Sequence, residues 1–186
     1  MVDEDNNLRI FKIVLAGAAG TGKTCLINRF VDGVFSYNTK STIGVDFSLK
    51  NMTVKDPRTG VDERIALQLW DMAGEERFRY VLPYYIVGTE GILYVFDITN
   101  PGSLAALDEW LEVTRSHLRE NIPMVLLAAK NDLEPVVTAR EVQEFLERNG
   151  IDCYFKTSSL KDENVNEAFI KLTYLIIDYY ARKEQK

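Results

Sequence analysis

Apolar positions along the chain fall into three kinds of run. FKIVLAG (11–17), GILYVFDIT (91–99) and IPMVLLAAK (122–130) are short and almost continuously apolar, which suits strands covered on both faces. A second kind alternates. GVDFSLKNMTV (44–54) sets Val45, Phe47 and Leu49 against Asp46, Ser48 and Lys50, and RIALQLW (64–70) repeats the pattern beyond the turn residues DPRTG (56–60). The pair predicts an antiparallel hairpin that is half exposed. A third kind has helical spacing. KTCLINRFVDG (23–33) places Leu26, Ile27 and Phe30 on one side and stops at Gly33. PGSLAALDEWLEVTRSHLRE (101–120) is a second helix. TAREVQEFLERNG (138–150) is a third, with a capping box at Thr138 and Glu141 and a stop at Gly150. DCYFKTS (152–158) reads as a short strand, and residues 162–186 as a final amphipathic helix.

Strands and helices therefore alternate. That order predicts an α/β fold: a mostly parallel sheet with right-handed crossovers and helices on both faces, a three-layer sandwich. Without repeats, low-complexity segments or a linker, one domain is expected over 9–182. It follows an acidic head, 1–8, expected to be disordered, and precedes a charged end, 183–186.

Charge narrows the partners. The formal net charge is −6, which argues against nucleic acid but not against phosphate held by backbone amides. The apolar stretch LRIFKIVLAGAAG (8–20) mimics a signal peptide, but Lys12 interrupts it and the preceding residues are acidic. No apolar run reaches the ~18 residues of a membrane span. Cys25 and Cys153 are the only cysteines and His117 the only histidine, so no structural zinc set is available. Two buried, reduced thiols are expected.

The chemistry lies in Gly17-Ala18-Ala19-Gly20-Thr21-Gly22-Lys23-Thr24, which fits G-x-x-x-x-G-K-[ST] at every position, between a predicted strand and a helix. In this P-loop pattern the glycines let backbone N–H groups wrap phosphate oxygens. The lysine reaches the β- and γ-phosphates, the Thr24 hydroxyl can coordinate Mg²⁺, and the helix adds its positive end. P-loop NTPases also hold Mg²⁺ through a carboxylate at the end of another strand. Asp71 ends the predicted strand IALQLW and is expected to act on the metal through a bound water. Gly74, three residues on, can offer its N–H to a γ-phosphate. Glu75 and Glu76 follow, with Glu76 expected to be solvated. After the third apolar strand, in AAKNDL (128–133), Asp132 can accept both donors of a guanine edge, while the stem of Lys130 packs over the base.

Together with STIGVDF (41–47), LQLWDMAGEERF (67–78) and FDITNPGSL (96–104), these residues resemble the Ras superfamily of small GTPases, most closely its Rab branch. The resemblance covers about residues 9–180. It implies a six-stranded sheet with one antiparallel strand, GTP and GDP as substrate and product, Mg²⁺, and two nucleotide-sensing switches. By position, Thr42 would be the switch I threonine on Mg²⁺ and the γ-phosphate. Phe35 would pack against guanine, unless it is a core aromatic. Ser158, Ser159 and Leu160 would form the last base-contacting loop. The nucleotide-binding set is completed by Ala18, Ala19, Gly20, Thr21, Gly22, Lys23, Thr24 and Cys25. Lys23, Thr42 and Glu75 would be catalytic. Exchange factors, activating proteins and effectors would meet the switch surfaces around Phe47, Phe78 and Tyr84, although packing on the strand face explains Phe47 and Tyr84 equally. A monomer in the cytoplasm is expected, peripheral to membranes only if a lipidated tail lies beyond this sequence, which ends YYARKEQK without a C-terminal cysteine.

Three positions depart from the family pattern. Glu75 stands where a glutamine orients the attacking water; an ionised carboxylate cannot donate a hydrogen bond to the γ-phosphate and is repelled by it. With no arginine in the loop or around Thr42 to assist, slow hydrolysis is expected. Ala19 either crowds the γ-phosphate side or is simply tolerated. Ala129 replaces the asparagine of N-K-x-D, which bonds the base edge and braces the loop. These departures leave open a pseudo-GTPase that holds nucleotide without turnover. A P-loop kinase or ATPase is disfavoured by Asp132, by the D-x-x-G spacing and by the lack of a lid-like arginine cluster.

Overall fold

The computed structural model describes residues 8–118 and 121–184, and at Glu76, Arg79, Tyr80 and Leu82 the backbone alone. Most of the acidic head, the last two residues and the Glu76 side chain thus lie outside the described residues. The strands are β1 (Leu8–Ala16), β2 (Val45–Lys55), β3 (Asp62–Met72), β4 (Gly91–Asp97), β5 (Met124–Ala129) and β6 (Tyr154–Lys156). They form one sheet in the order β2-β3-β1-β4-β5-β6, with β2 antiparallel to β3 and the other pairs parallel. The helices are α1 (Lys23–Asp32), α2 (Leu82–Ile86), α3 (Pro101–Ala105), α4 (Leu107–His117), α5 (Ala139–Asn149) and α6 (Val165–Glu184), and a 3-10 turn spans Glu76–Val81.

All seven residues of β4 are buried, because helices cover both faces of the central strands. One core joins Ile13, Leu15, Leu67 and Leu69 to α1 and α6, where Phe30 and Phe169 stack with centroids 4.0 Å apart. The other joins Val14, Tyr94 and Phe96 to Trp110 and Phe145 of α4 and α5. On that side the β1–β2–β3 end has less cover, so Ile10, Phe47 and Leu49 stay exposed. No helix among the described residues is long and apolar enough to cross a membrane.

Several predicted boundaries need correction. The single helix over 101–120 is two, α3 and α4, broken at Ala106 and ending at His117. Its first turn is tied to the end of β4: Asp97 N–H donates to Ser103 Oγ (2.9 Å), and that hydroxyl donates to the Asn100 carbonyl (2.7 Å). The strand over 152–158 shrinks to Tyr154–Lys156, since Thr157 and Ser158 turn into a loop. Asp71 does not end β3, which runs on through Met72. Both thiols are free, as expected, but only half-buried. The 3-10 turn and α2 were not anticipated; elements of five or six residues are too short for a periodic pattern.

β1 pairs with β3 on one side and β4 on the other. Connections leave it in opposite directions, which opens a crevice at its carboxyl end, the usual ligand position in such sheets. The 17–24 loop lies there.

Candidate functional site

A cavity of about 500 Å³ opens above the carboxyl ends of β1 and β5. One wall is the 17–24 loop. Gly17 has φ 148°, and a Cβ there would lie 2.1 Å from the Val95 carbonyl oxygen. Gly20 and Gly22 take left-handed φ values of 75° and 97°, backbone states that glycine adopts without steric cost. The chain can thereby curl before α1 begins at Lys23. The Lys23 ammonium is buried and donates to the carbonyls of Gly17 (2.7 Å) and Ala18 (2.9 Å). Burial pulls its pKa down to about 8, with the nearby Asp71 carboxylate opposing the shift. A buried cation at a helix N-terminus is a strong anion attractor.

Next to it, three oxygens converge. Thr24 Oγ1 donates to Asp71 Oδ2 at 2.5 Å, Thr42 Oγ1 to the same oxygen at 3.0 Å, and the two hydroxyls lie 3.0 Å apart. They come from α1, the 34–44 segment and β3, so only the tertiary fold assembles them. Asp71 is buried, which pushes its pKa up; the hydrogen bond from Thr24, the Lys23 charge and the Thr42 hydroxyl oppose that. Its Oδ1 is buried without a hydrogen-bond partner. An orphaned carboxylate oxygen beside two hydroxyls is a hard-oxygen donor set suited to a small divalent cation.

Gly74 closes the same end. Its carbonyl accepts from Ala19 N–H (3.1 Å), and a Cβ on it would lie 2.2 Å from the Ala19 nitrogen. The D-x-x-G glycine is therefore required by close backbone approach to the loop. Glu75 also borders the cavity, with its Oε2 held 2.7 Å from Arg77 Nε.

The opposite end is built by β5 and the loop after β6. Lys130 takes a left-handed φ of 64°, and its ammonium sits 2.5 Å from Asp97 Oδ2. Burial pushes the Asp97 carboxyl up, but the hydrogen bonds from Lys130 and Thr99 outweigh it and leave its pKa lowered. Asp132 accepts a 2.5 Å bond from the buried Ser158 hydroxyl through one oxygen, so its carboxylate has a fixed orientation. Ala129 contributes only a methyl group to the cavity wall between them.

The Ras family model matches residues 12–178. The chain belongs to the Ras family. Its similarity to curated proteins points to the Rab-like branch. It is 36% identical to the Ras-related protein SEC4 of Saccharomyces cerevisiae over 90% of this chain and 75% of that one. It is 37% identical to the human Ras-related protein Rab-4B over 91% of this chain and 77% of that one. To the GTP-binding protein ypt4 of Schizosaccharomyces pombe it is 36% identical, over 95% and 75%. This Ras-family protein is thus a small GTPase, an enzyme that hydrolyses GTP.

Most of the expected site residues of this GTPase border the one cavity: Ala19, Gly20, Gly22, Lys23, Thr24, Cys25, Phe35, Thr42, Gly74, Glu75, Lys130, Asp132, Ser159 and Leu160. Ala18, Thr21, Asp71 and Ser158 stand behind it. The Ala18 carbonyl accepts from Thr21 as well as Lys23, and Ser158 orients Asp132. Phe35 is half-buried and meets Tyr37 edge-on at 4.9 Å, apart from both cores. Phe47 packs edge-on against Trp70 (5.5 Å) yet stays exposed, as does Tyr84. Phe78 is half-buried, with the Arg77 guanidinium 4.9 Å from its ring centroid. The sequence reading missed Arg29, whose Nε donates to the Ser159 carbonyl (2.7 Å) and whose Nη1 donates to that of Gly33 (2.6 Å). A helical arginine carries no signal of contacts 130 residues away. It also missed Lys40, which borders the cavity.

Proposed function

We propose that this protein is a Rab-like switch that binds guanine nucleotide with Mg²⁺, hydrolyses GTP slowly and acts in the regulation of membrane traffic. The observation carrying this reading is the convergence of Thr24, Thr42 and Asp71 beside Lys23, with one Asp71 oxygen left unpartnered. Mg²⁺ there would neutralise phosphate charge. Thr24 and Thr42 would hold it directly and Asp71 through water. Lys23 and the loop amides bind and orient the phosphates, and the Gly74 N–H senses the γ-phosphate. When that phosphate leaves, Thr42 and Gly74 lose their partner and the two switch segments are released. The exposed Phe47 and Tyr84 flank those segments and suit regulator and effector contacts. The Rab-like relatives support the traffic role.

Guanine is favoured by Asp132, whose remaining carboxylate oxygen is free of the Ser158 bond. The methyl group of Ala129 gives the base no hydrogen bond, a loss of about 1–3 kcal/mol in affinity. Calorimetry is expected to show GDP binding well above ADP; equal affinities would overturn the guanine assignment. Slow turnover rests on Glu75. Held by Arg77, its carboxylate can accept from water but cannot donate to the γ-phosphate. In single-turnover assays Glu75→Gln is expected to hydrolyse GTP about tenfold faster or more, the scale of one hydrogen bond of about 1.5–3 kcal/mol to a charged group. A variant no faster than wild type would sink that reading.

A further inference from the structure

Between α1 and β2 the chain runs through residues 34–44 without helix or strand. It is nevertheless tied to α1 at two consecutive residues. Thr39 Oγ1 lies 3.3 Å from Cys25 Sγ, and Thr42 Oγ1 lies 3.0 Å from Thr24 Oγ1. Thr39 is held further by donating to the Ser36 carbonyl at 2.9 Å. Lys40 and Ser41 therefore bridge two anchored points over the start of α1, and both border the cavity.

The charges bordering that cavity are unequal in their commitments. The Lys23 ammonium is spent on two backbone carbonyls, Lys130 on Asp97, Glu75 on Arg77, and one Asp132 oxygen on Ser158. Lys40 is exposed and, among the described residues, makes no ion pair or side-chain hydrogen bond. It is an uncommitted cation on a strap pinned beside the phosphate end, where Glu75 adds a negative charge.

We propose that Lys40 is the residue by which this GTPase distinguishes triphosphate from diphosphate: its ammonium meets the terminal phosphate and offsets the repulsion from Glu75. This rests on the nucleotide reading above. The geometry of the strap supports it. Thr42 is tied to Thr24 and Asp71 on one side of Lys40 and Thr39 to Cys25 on the other, so the backbone that carries Lys40 stays at the cavity border while its side chain reaches for the phosphate chain. A flexible, strongly hydrated ammonium acts as a point charge, so the contact is selective for charge rather than for shape.

The test is equilibrium binding of GDP and of a non-hydrolysable GTP analogue, both with Mg²⁺, to wild type, Lys40→Gln and Lys40→Arg. For Lys40→Gln, analogue affinity is expected to fall about tenfold, the scale of one charge-assisted hydrogen bond, with GDP affinity changed less than about twofold. Lys40→Arg, which keeps the charge, is expected to restore most of the analogue affinity. The analogue-to-GDP ratio of wild type is also expected to fall with added salt more steeply than that of Lys40→Gln, because exposed charges are screened. Since Lys40 is exposed, retained GDP binding by Lys40→Gln shows the variant folded. If wild type binds both nucleotides and Lys40→Gln weakens them equally or not at all, the role of Lys40 is overturned and the nucleotide reading stands. If wild type binds neither, both fall.

Discussion

Lys23→Met is expected to bind GDP at least ~100-fold more weakly than wild type in calorimetric titration, while melting at nearly the same temperature without nucleotide. The two halves of this result have one cause. The ammonium is buried at the N-terminus of α1, and burial pulls its pKa from 10.5 to about 8. The nucleotide-free protein thus carries a desolvated charge for which two carbonyls compensate only in part. Replacing it by methionine relieves that desolvation but leaves the Gly17 and Ala18 carbonyls without this donor and Asp71 without its neighbouring cation, so the two effects on stability oppose one another. Toward a polyphosphate the balance reverses. The ammonium supplies charge-assisted hydrogen bonds of about 1.5–3 kcal/mol each, and methionine supplies none. A large fall in melting temperature with affinity intact would mean that Lys23 braces the loop rather than binding phosphate.

The second large effect concerns the fold beneath the site. Gly17→Ala is expected to destabilise the protein by about 3 kcal/mol or more, a loss of roughly 6–12 °C for a chain of this size. A Cβ at Gly17 would lie 2.1 Å from the carbonyl oxygen of Val95. Val95 is fully buried in the middle of β4, paired with Leu127 of β5. That oxygen cannot retreat without disturbing a central ladder, and φ 148° is itself strained for an L residue. Gly20→Ala is the internal control. It has φ 75° but nothing within 4 Å of a new Cβ, so only the left-handed strain of about 1–2 kcal/mol applies. Thermal melts of the two variants separate packing from backbone strain, and equal losses would refute the packing argument.

Much of this architecture was legible along the chain because its signals are local. β4 and β5 are continuous apolar runs because helices cover both their faces. β2 and β3 alternate because one face is partly open, and the caps at Thr138 and Gly150 mark α5 to the residue. The 17–24 loop could be read because its glycines, amine and hydroxyl fall in one eight-residue pattern, although the reason for Gly17, its approach to the Val95 carbonyl, is tertiary. The break at Ala106 was not legible. It depends on Ser103 reaching back to the end of β4, a contact that leaves the 3.6-residue periodicity of 101–117 intact.

The site divides along the same line. The sequence by itself determined which residues have the chemistry: an amine and a hydroxyl at the start of a helix, a carboxylate three residues before a glycine, and an aspartate after a buried strand. It also showed that Glu75 and Ala129 depart from the pattern. Only the tertiary structure decided how those groups are committed. It brought Thr24, Thr42 and Asp71 within 3.0 Å of one another, spent Lys130 on Asp97 and Glu75 on Arg77, and left Lys40 at the cavity border without a side-chain partner among the described residues. The physical reason is that side-chain type is local, whereas pairing and burial depend on elements that meet only when β1 is flanked by β3 and β4.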